Sequence, residues 1–141
     1  MYIDENDYRI AIDEREQAII SRYPDEWQRA EAVACEIAAG YLRTRYNVDE
    51  AYSKLGEERN PRLVQAIIHI ALYQMVHRLP QNMGYERWKD RYDESIAWLE
   101  NVQAGKTTPA LPLLSSDSTT GEAHPNGALR FGSIEKSTYN Y

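Results

Sequence analysis

Cysteine is almost missing from this 141-residue chain. Its single thiol, Cys35, excludes a disulfide framework and a cysteine-rich zinc site, and fits a reducing compartment. Positive charge is also in short supply. Sixteen Lys and Arg stand against 22 Asp and Glu, for a net charge of −6, which argues against a broad basic face that grips nucleic acid. Long apolar runs are absent. The longest uncharged stretch, residues 63–76, is broken by Gln65, His69 and Gln74 and is too short to span a bilayer, so no membrane partner is expected. Residues 1–7 place Asp4, Glu5, Asn6 and Asp7 where a signal peptide needs a basic start and an apolar run. Glycines 40, 56 and 84 are isolated, so no phosphate-cradling loop is visible. Phenylalanine occurs once and tyrosine eleven times. A tyrosine covers apolar surface while keeping a polar tip, so the excess points to protein–protein contact.

Catalytic chemistry is equally sparse. His69 and His77 lie two turns apart with no carboxylate between residues 61 and 79, so metal binding is not expected, nor is any cofactor. Cys35 has no flanking His or Lys and reads as an inert buried thiol. Asp90, Asp93 and Glu94 beside Arg87, Lys89 and Arg91 read as a solvated helix face rather than a carboxylate dyad. The expectation is a protein that is not an enzyme.

What is present is helical periodicity. Asp4 suits an N-cap with Asp7 three residues on and Ile3 placed to staple against Tyr8, opening a short first helix or two broken pieces to about Ser21. Pro24, Asp25 and Glu26 open a second helix whose inward face is Trp27, Ala30, Ala34, Ile37, Ala38 and Tyr41. Arg43 and Arg45 fall in its last turn. Residues 47–60 read as a polar connection, and Pro61 opens a third helix to about Leu79 that is apolar nearly all round. Such a helix sits mid-bundle or against a neighbouring subunit. The fourth helix carries Tyr85, Trp88, Tyr92, Ile96, Leu99 and Val102 on one stripe, with Gly105 as its terminator. The expected fold is all-α: an antiparallel bundle of three to four helices with a long extended C-terminal tail.

Composition places the boundary. Between Gly105 and Ala128, thirteen of 24 residues are Gly, Pro, Ser or Thr, too few apolar anchors to offset their ordering entropy. Residues 1–104 therefore read as the helical body, and 105–141 as a linker with an extended docking segment. In that segment Leu129 and Phe131, then Tyr139 and Tyr141, return apolar bulk at alternate positions. Together with Arg130 they are the candidate tail interface, an extended strand added to another protein. Trp98 falls off the inward stripe of the fourth helix, where it reads either as a satellite core position or, with Tyr92, as a candidate subunit contact. Arg43 and Arg45, beside Thr44 and Tyr46, are the candidate contact to nucleic acid, although a helix C-terminus also explains two cations there.

Four features together resemble the small helical head-to-tail adaptor, or connector, proteins of tailed bacteriophages and prophages. They are the capped start Ile3-Asp4-Glu5-Asn6-Asp7, a second helix ending Tyr41-Leu42-Arg43-Thr44-Arg45-Tyr46, a proline-led helix with Ile70-Ala71-Leu72-Tyr73, and a last helix with Arg91-Tyr92, Ile96, Leu99, Val102 and Gly105. The likeness covers residues 1–108, and the ending Leu129 to Tyr141 is similar to that of some phage members. The resemblance implies a structural virion protein assembled in the host bacterial cytoplasm. It would form a homo-oligomeric ring, usually of twelve copies, at the head–tail junction below the portal protein. Such a ring continues the DNA channel, meets other neck or tail proteins, and lets DNA pass without holding it. A tail-completion or stopper ring protein shares this architecture, and a small helical DNA-binding regulator is the reading from a different class.

Overall fold

The computed structural model describes residues 2–79 and 84–114, and these are helical, with no strand among them. The N-terminal helix is broken, as one of the two expectations had it. Asp4 accepts from the backbone N–H groups of Asn6 and Asp7 while Asp7 accepts from that of Asp4, and this reciprocal cap opens a 3-10 turn, Glu5–Ile10. A second reciprocal cap, Asp13 with Glu16, opens helix α1, Glu14–Ser21. Helix α2, Pro24–Leu42, starts on proline, which lacks the N–H that would have no partner there.

The connection over residues 47–60 departs from expectation. It contains a short helix α3, Val48–Tyr52, and a tight turn, Gly56–Glu58. The Asn47 side chain caps α3, and Val48 and Ala51 are buried, so a locally polar sequence still supplies one apolar edge to the core. Asn60 caps helix α4, Pro61–Gln74, which stops five residues short of Leu79 and passes into a second tight turn, Val76–Arg78. Helix α5, Tyr85–Ala104, ends at Gly105, whose φ of +84° is a left-handed conformation that costs a side-chain-bearing residue more.

The long helices α2, α4 and α5 pack on one another. The start of α2 lies beside the end of α4, where Glu26 meets Arg78. The start of α4 lies beside the second half of α5, where Arg62 covers the ring of Trp98. Leu63, Ile67 and Ile70 of α4, Leu42 of α2, and Trp88, Leu99 and Val102 of α5 are fully buried at this junction. Each such side chain contributes roughly 1.5–3 kcal/mol by leaving water. The apolar breadth of α4 is thus consumed within one chain: Val64, Ala66, Ile68, Ala71 and Leu72 are buried there as well.

Polar side chains fasten the smaller pieces to this frame. The Tyr8 hydroxyl donates to Glu31 at 2.6 Å, and the Tyr52 hydroxyl donates to the Cys35 carbonyl at 2.7 Å. Burial holds the Glu31 carboxyl above its ordinary range, against the Tyr8 hydrogen bond, which acts the other way. Arg59 makes two bonds to the Asp7 carboxylate at 2.6 and 2.9 Å and a third to the Tyr2 carbonyl at 2.7 Å. Its side chain and that of Asp7 are only 11% and 12% exposed, so the pair is largely desolvated and geometrically bidentate. Replacing Arg59 with alanine would strand the carboxylate and is expected to cost about 2 kcal/mol, read as a lower urea midpoint with an unchanged slope.

The chain beyond α5 turns back along the body. Asn60 Nδ2 donates to the Ala110 carbonyl at 3.2 Å, Asn47 N–H to Pro112 at 2.8 Å, and Leu114 N–H to the Arg45 carbonyl at 3.0 Å. Tyr46 and Leu113 thereby form a single antiparallel bridge, and Leu111 packs on the core. Residues 105–114, read from composition as the start of a linker, are seated on the helical body. Among the described residues no helix is long and apolar enough to cross a membrane.

Candidate interaction surface

Two grooves flank helix α5, and the helical repeat dictates which residues reach each. Positions 91, 94 and 98 share one flank, 92, 96 and 103 the other, and the buried stripe of Trp88, Ser95, Leu99 and Val102 runs between.

The first groove, about 910 Å³, lies between the N-terminal turn, the Gly56–Glu58 turn, the first half of α4 and α5. Its apolar floor includes Val64 and Ile68, and Ile10 stands at its edge with 93% of its surface exposed. Arg59, Arg62, Arg91 and His69 bring donors to its walls, with Asp7, Glu57 and Glu94 as the acids. Arg59 is committed to Asp7, whereas Arg62 and Arg91 have no ion pair among the described residues. Burial draws the Arg62 guanidinium below its usual range, with Glu94 opposing the shift. Burial, then the charges of Arg91 and Arg62, depress His69 to about 4, so this imidazole is neutral at pH 7.

Arg91 and Arg87 both lie over the Trp88 ring, 4.8 and 5.1 Å from its centroid, and His69 meets that ring edge-on. Arg87 also reaches Glu16 of α1 at 3.4 Å. The face read as solvated is therefore split. Lys89 and Asp93 form the exposed i,i+4 pair that was expected, while Arg91 and the still exposed Arg87 lie over an aromatic ring.

The second groove, about 430 Å³, lies between the C-terminal half of α2 and α5. Its lining is Glu36, Ile37, Gly40, Tyr41, Tyr92, Ile96 and Gln103. Tyr92 stacks on Tyr73 at 4.5 Å, and Tyr73 meets Tyr85, whose hydroxyl lies 3.1 Å from its own, so a short row of tyrosines continues the groove along α5.

The residues singled out from sequence separate on this surface. Tyr92 lines the second groove, and Trp98 sits on the flank of the first under Arg62; both are half-buried and packed on the core. Arg43 caps the C-terminus of α2 and is paired with Glu36 through two bonds of 2.8 and 3.0 Å. Arg45 lies beyond the end of α2, its guanidinium beside Gly105. The helix end at Leu42 thus leaves neither arginine inside a last turn. Leu129, Arg130, Phe131, Tyr139 and Tyr141 lie outside the described residues. Sequence reasoning missed Ile10, Arg62, His69 and Arg91 as one surface. The available signal was Ile10, an isoleucine among the polar residues of a short capped turn.

Cys35 carries no reactive environment: it is half-buried, and burial, then the Glu31 charge, push its thiol up to about 11. Among the described residues no three His, Cys, Asp or Glu side chains come together as a metal site.

A family model described as Bacteriophage Mu, Gp36 matches residues 2–126. The match spans the whole helical body, and the chain belongs to that phage family. No curated protein and no solved structure matches the chain.

Proposed function

We propose that this member of the bacteriophage Mu Gp36 family is a non-enzymatic structural protein of the particle, a subunit of a ring below the portal at the head–tail junction. The observation that carries the reading is the difference between the two flanks of α5. One is an open groove with an apolar floor and two arginines that have no ion pair among the described residues; the other is aromatic, with Glu36 at its rim. A ring closes through head-to-tail contacts, and these require two unlike patches on every copy. Helices α2, α4 and α5 form an up-down-up bundle that holds the patches at a fixed angle. In this reading residues 1–104 are the ring body, and Trp98 and Tyr92 support the two contact flanks from beneath.

The ring, of about twelve copies on the analogy with phage connectors, continues the DNA channel without gripping its contents. The net charge of −6 and the engagement of Arg43 by Glu36 both keep phosphate affinity low. The portal and the next neck or tail proteins are its partners, with Tyr139 and Tyr141 as the outermost docking groups of the tail.

The test uses residues that line the first groove and support nothing else. Ile10 and Gln65 are both exposed, so Ile10→Asp combined with Gln65→Glu is expected to leave the melting temperature within a few degrees. Ring formation, followed by sedimentation velocity and by imaging the particle neck, is expected to fall at least tenfold. Rings of normal abundance would remove the first groove from the assembly.

A further inference from the structure

The second groove opens at the end of the body from which the chain departs. Its walls include Gly40 and Tyr41 near the C-terminus of α2, and Gln103 near the C-terminus of α5. Arg45, four residues past Tyr41, accepts a hydrogen bond from Leu114, the last described residue, and its guanidinium lies against Gly105. Residues 115–141 follow from that point.

Fourteen residues separate Leu114 from Leu129, and their composition is dominated by Ser, Thr, Gly and other small or polar types. A flexible linker of that length has a root-mean-square span of about 20 Å. Helix α2, with its 19 residues, is itself about 28 Å long. A tether whose span is comparable to the body keeps its end at roughly millimolar concentration around the exit point. By length alone, Leu129, Arg130 and Phe131 can reach the groove.

The chemistry selects this groove over its larger neighbour. Arg130 stands between the two apolar residues of the segment. The first groove carries Arg62 and Arg91 but also Glu57 and Glu94, and in the second Arg130 would share the Glu36 carboxylate with Arg43, so the choice rests on the apolar walls. The walls of the second groove, Ile37, Tyr41, Tyr92 and Ile96, are apolar and half-buried, suited to aliphatic and aromatic side chains. Gly40 leaves the floor open: a Cβ built there meets no atom within 4 Å, so a backbone can approach closely.

We infer that the second groove is the seat of the chain's own Leu129-Arg130-Phe131 segment, with Phe131 between Tyr41 and Tyr92 and Arg130 at Glu36. The inference concerns one subunit, and in a ring the second contact patch would be this groove with the segment seated in it. It leaves Tyr139 and Tyr141 beyond the anchor and free to meet a partner.

The full-length protein tests it. With the photoreactive p-benzoylphenylalanine replacing Phe131, irradiation is expected to link position 131 to peptides carrying Tyr41, Tyr92 or Ile96. In an equal mixture of ¹⁴N- and ¹⁵N-labelled chains, the linked peptides should be of one isotope. Gly40→Trp, whose Cβ would meet no atom within 4 Å, puts an indole into the groove and is expected to reduce the yield at least tenfold, whereas Ala97→Trp, at an exposed position on another face of α5, should leave it unchanged. Links to any other surface, links of mixed isotope, or a yield indifferent to Gly40→Trp would each overturn the inference. Loss of ring formation with these links intact would count against the ring alone.

Discussion

Replacing Trp88 with alanine is expected to remove about 4 kcal/mol of stability, the largest single-residue effect in the body. The indole has no exposed surface, and its neighbours come from separate parts of the chain: His69 from α4, and Arg87 and Arg91 from its own helix, themselves tied to Glu16 and the Ala11 carbonyl. Truncation leaves a cavity where the buried indole stood. It also removes the aromatic face on which two guanidinium groups rest. Trp88→Phe keeps a ring for the cations and should cost less than half as much. Urea denaturation of the two variants decides. Equal losses would show that the ring phenylalanine retains contributes neither packing nor a seat for the arginines.

Trp88 marks the limit of what sequence shows in this chain. Its place on the inward stripe of α5 follows from spacing, as do the caps at Asp4 and Asp7, the starts at Pro24 and Pro61, and the stop at Gly105. All of these rest on interactions between residues at most four positions apart. Arg91 was read as solvated on its charge, although Trp88, three positions earlier on the same helix, lies within its reach. The first groove is invisible in the sequence: residues 10, 62, 68, 69 and 91 converge only when the N-terminal turn, α4 and α5 pack. Seating residues 111–114 relies on backbone N–H and C=O groups, which every residue type carries, so composition still read that segment as linker. Helix α3 was missed because one turn of helix is too short to display a period, although its Asn47 cap was available to find.

The grouping of His69 with two arginines gives the body a pH dependence whose sign can be worked out. In the unfolded chain the imidazole takes a proton near 6.5; in the folded protein burial, Arg91 and Arg62 depress this to about 4. The unfolded state therefore binds more protons between these values, and stability falls as pH falls through that window. A displacement of that size corresponds to at most about 3 kcal/mol, fully present above pH 6.5 and gone below pH 4. Asp7, whose carboxyl is held below its ordinary 3.8 by the bonds from Arg59, against the opposing effect of burial, acts in the same direction at lower pH. Glu31 acts the other way. Its carboxyl is raised above 4.5, so it favours the folded state below that value and loses that contribution as pH rises through the raised one. Because the Glu31 window overlaps that of His69, the wild-type curve alone is ambiguous, and the comparison must be with His69→Gln, which cannot titrate. Subtracting the two unfolding free energies at each pH removes Glu31 and Asp7, and the difference should fall by about 3 kcal/mol from pH 7 to pH 4. The His69 ring protons should titrate with a midpoint near 4 in the folded protein. A midpoint near 6.5, or parallel stability curves for the two proteins, would mean that the imidazole keeps its water and that the wall of the first groove is open at this point.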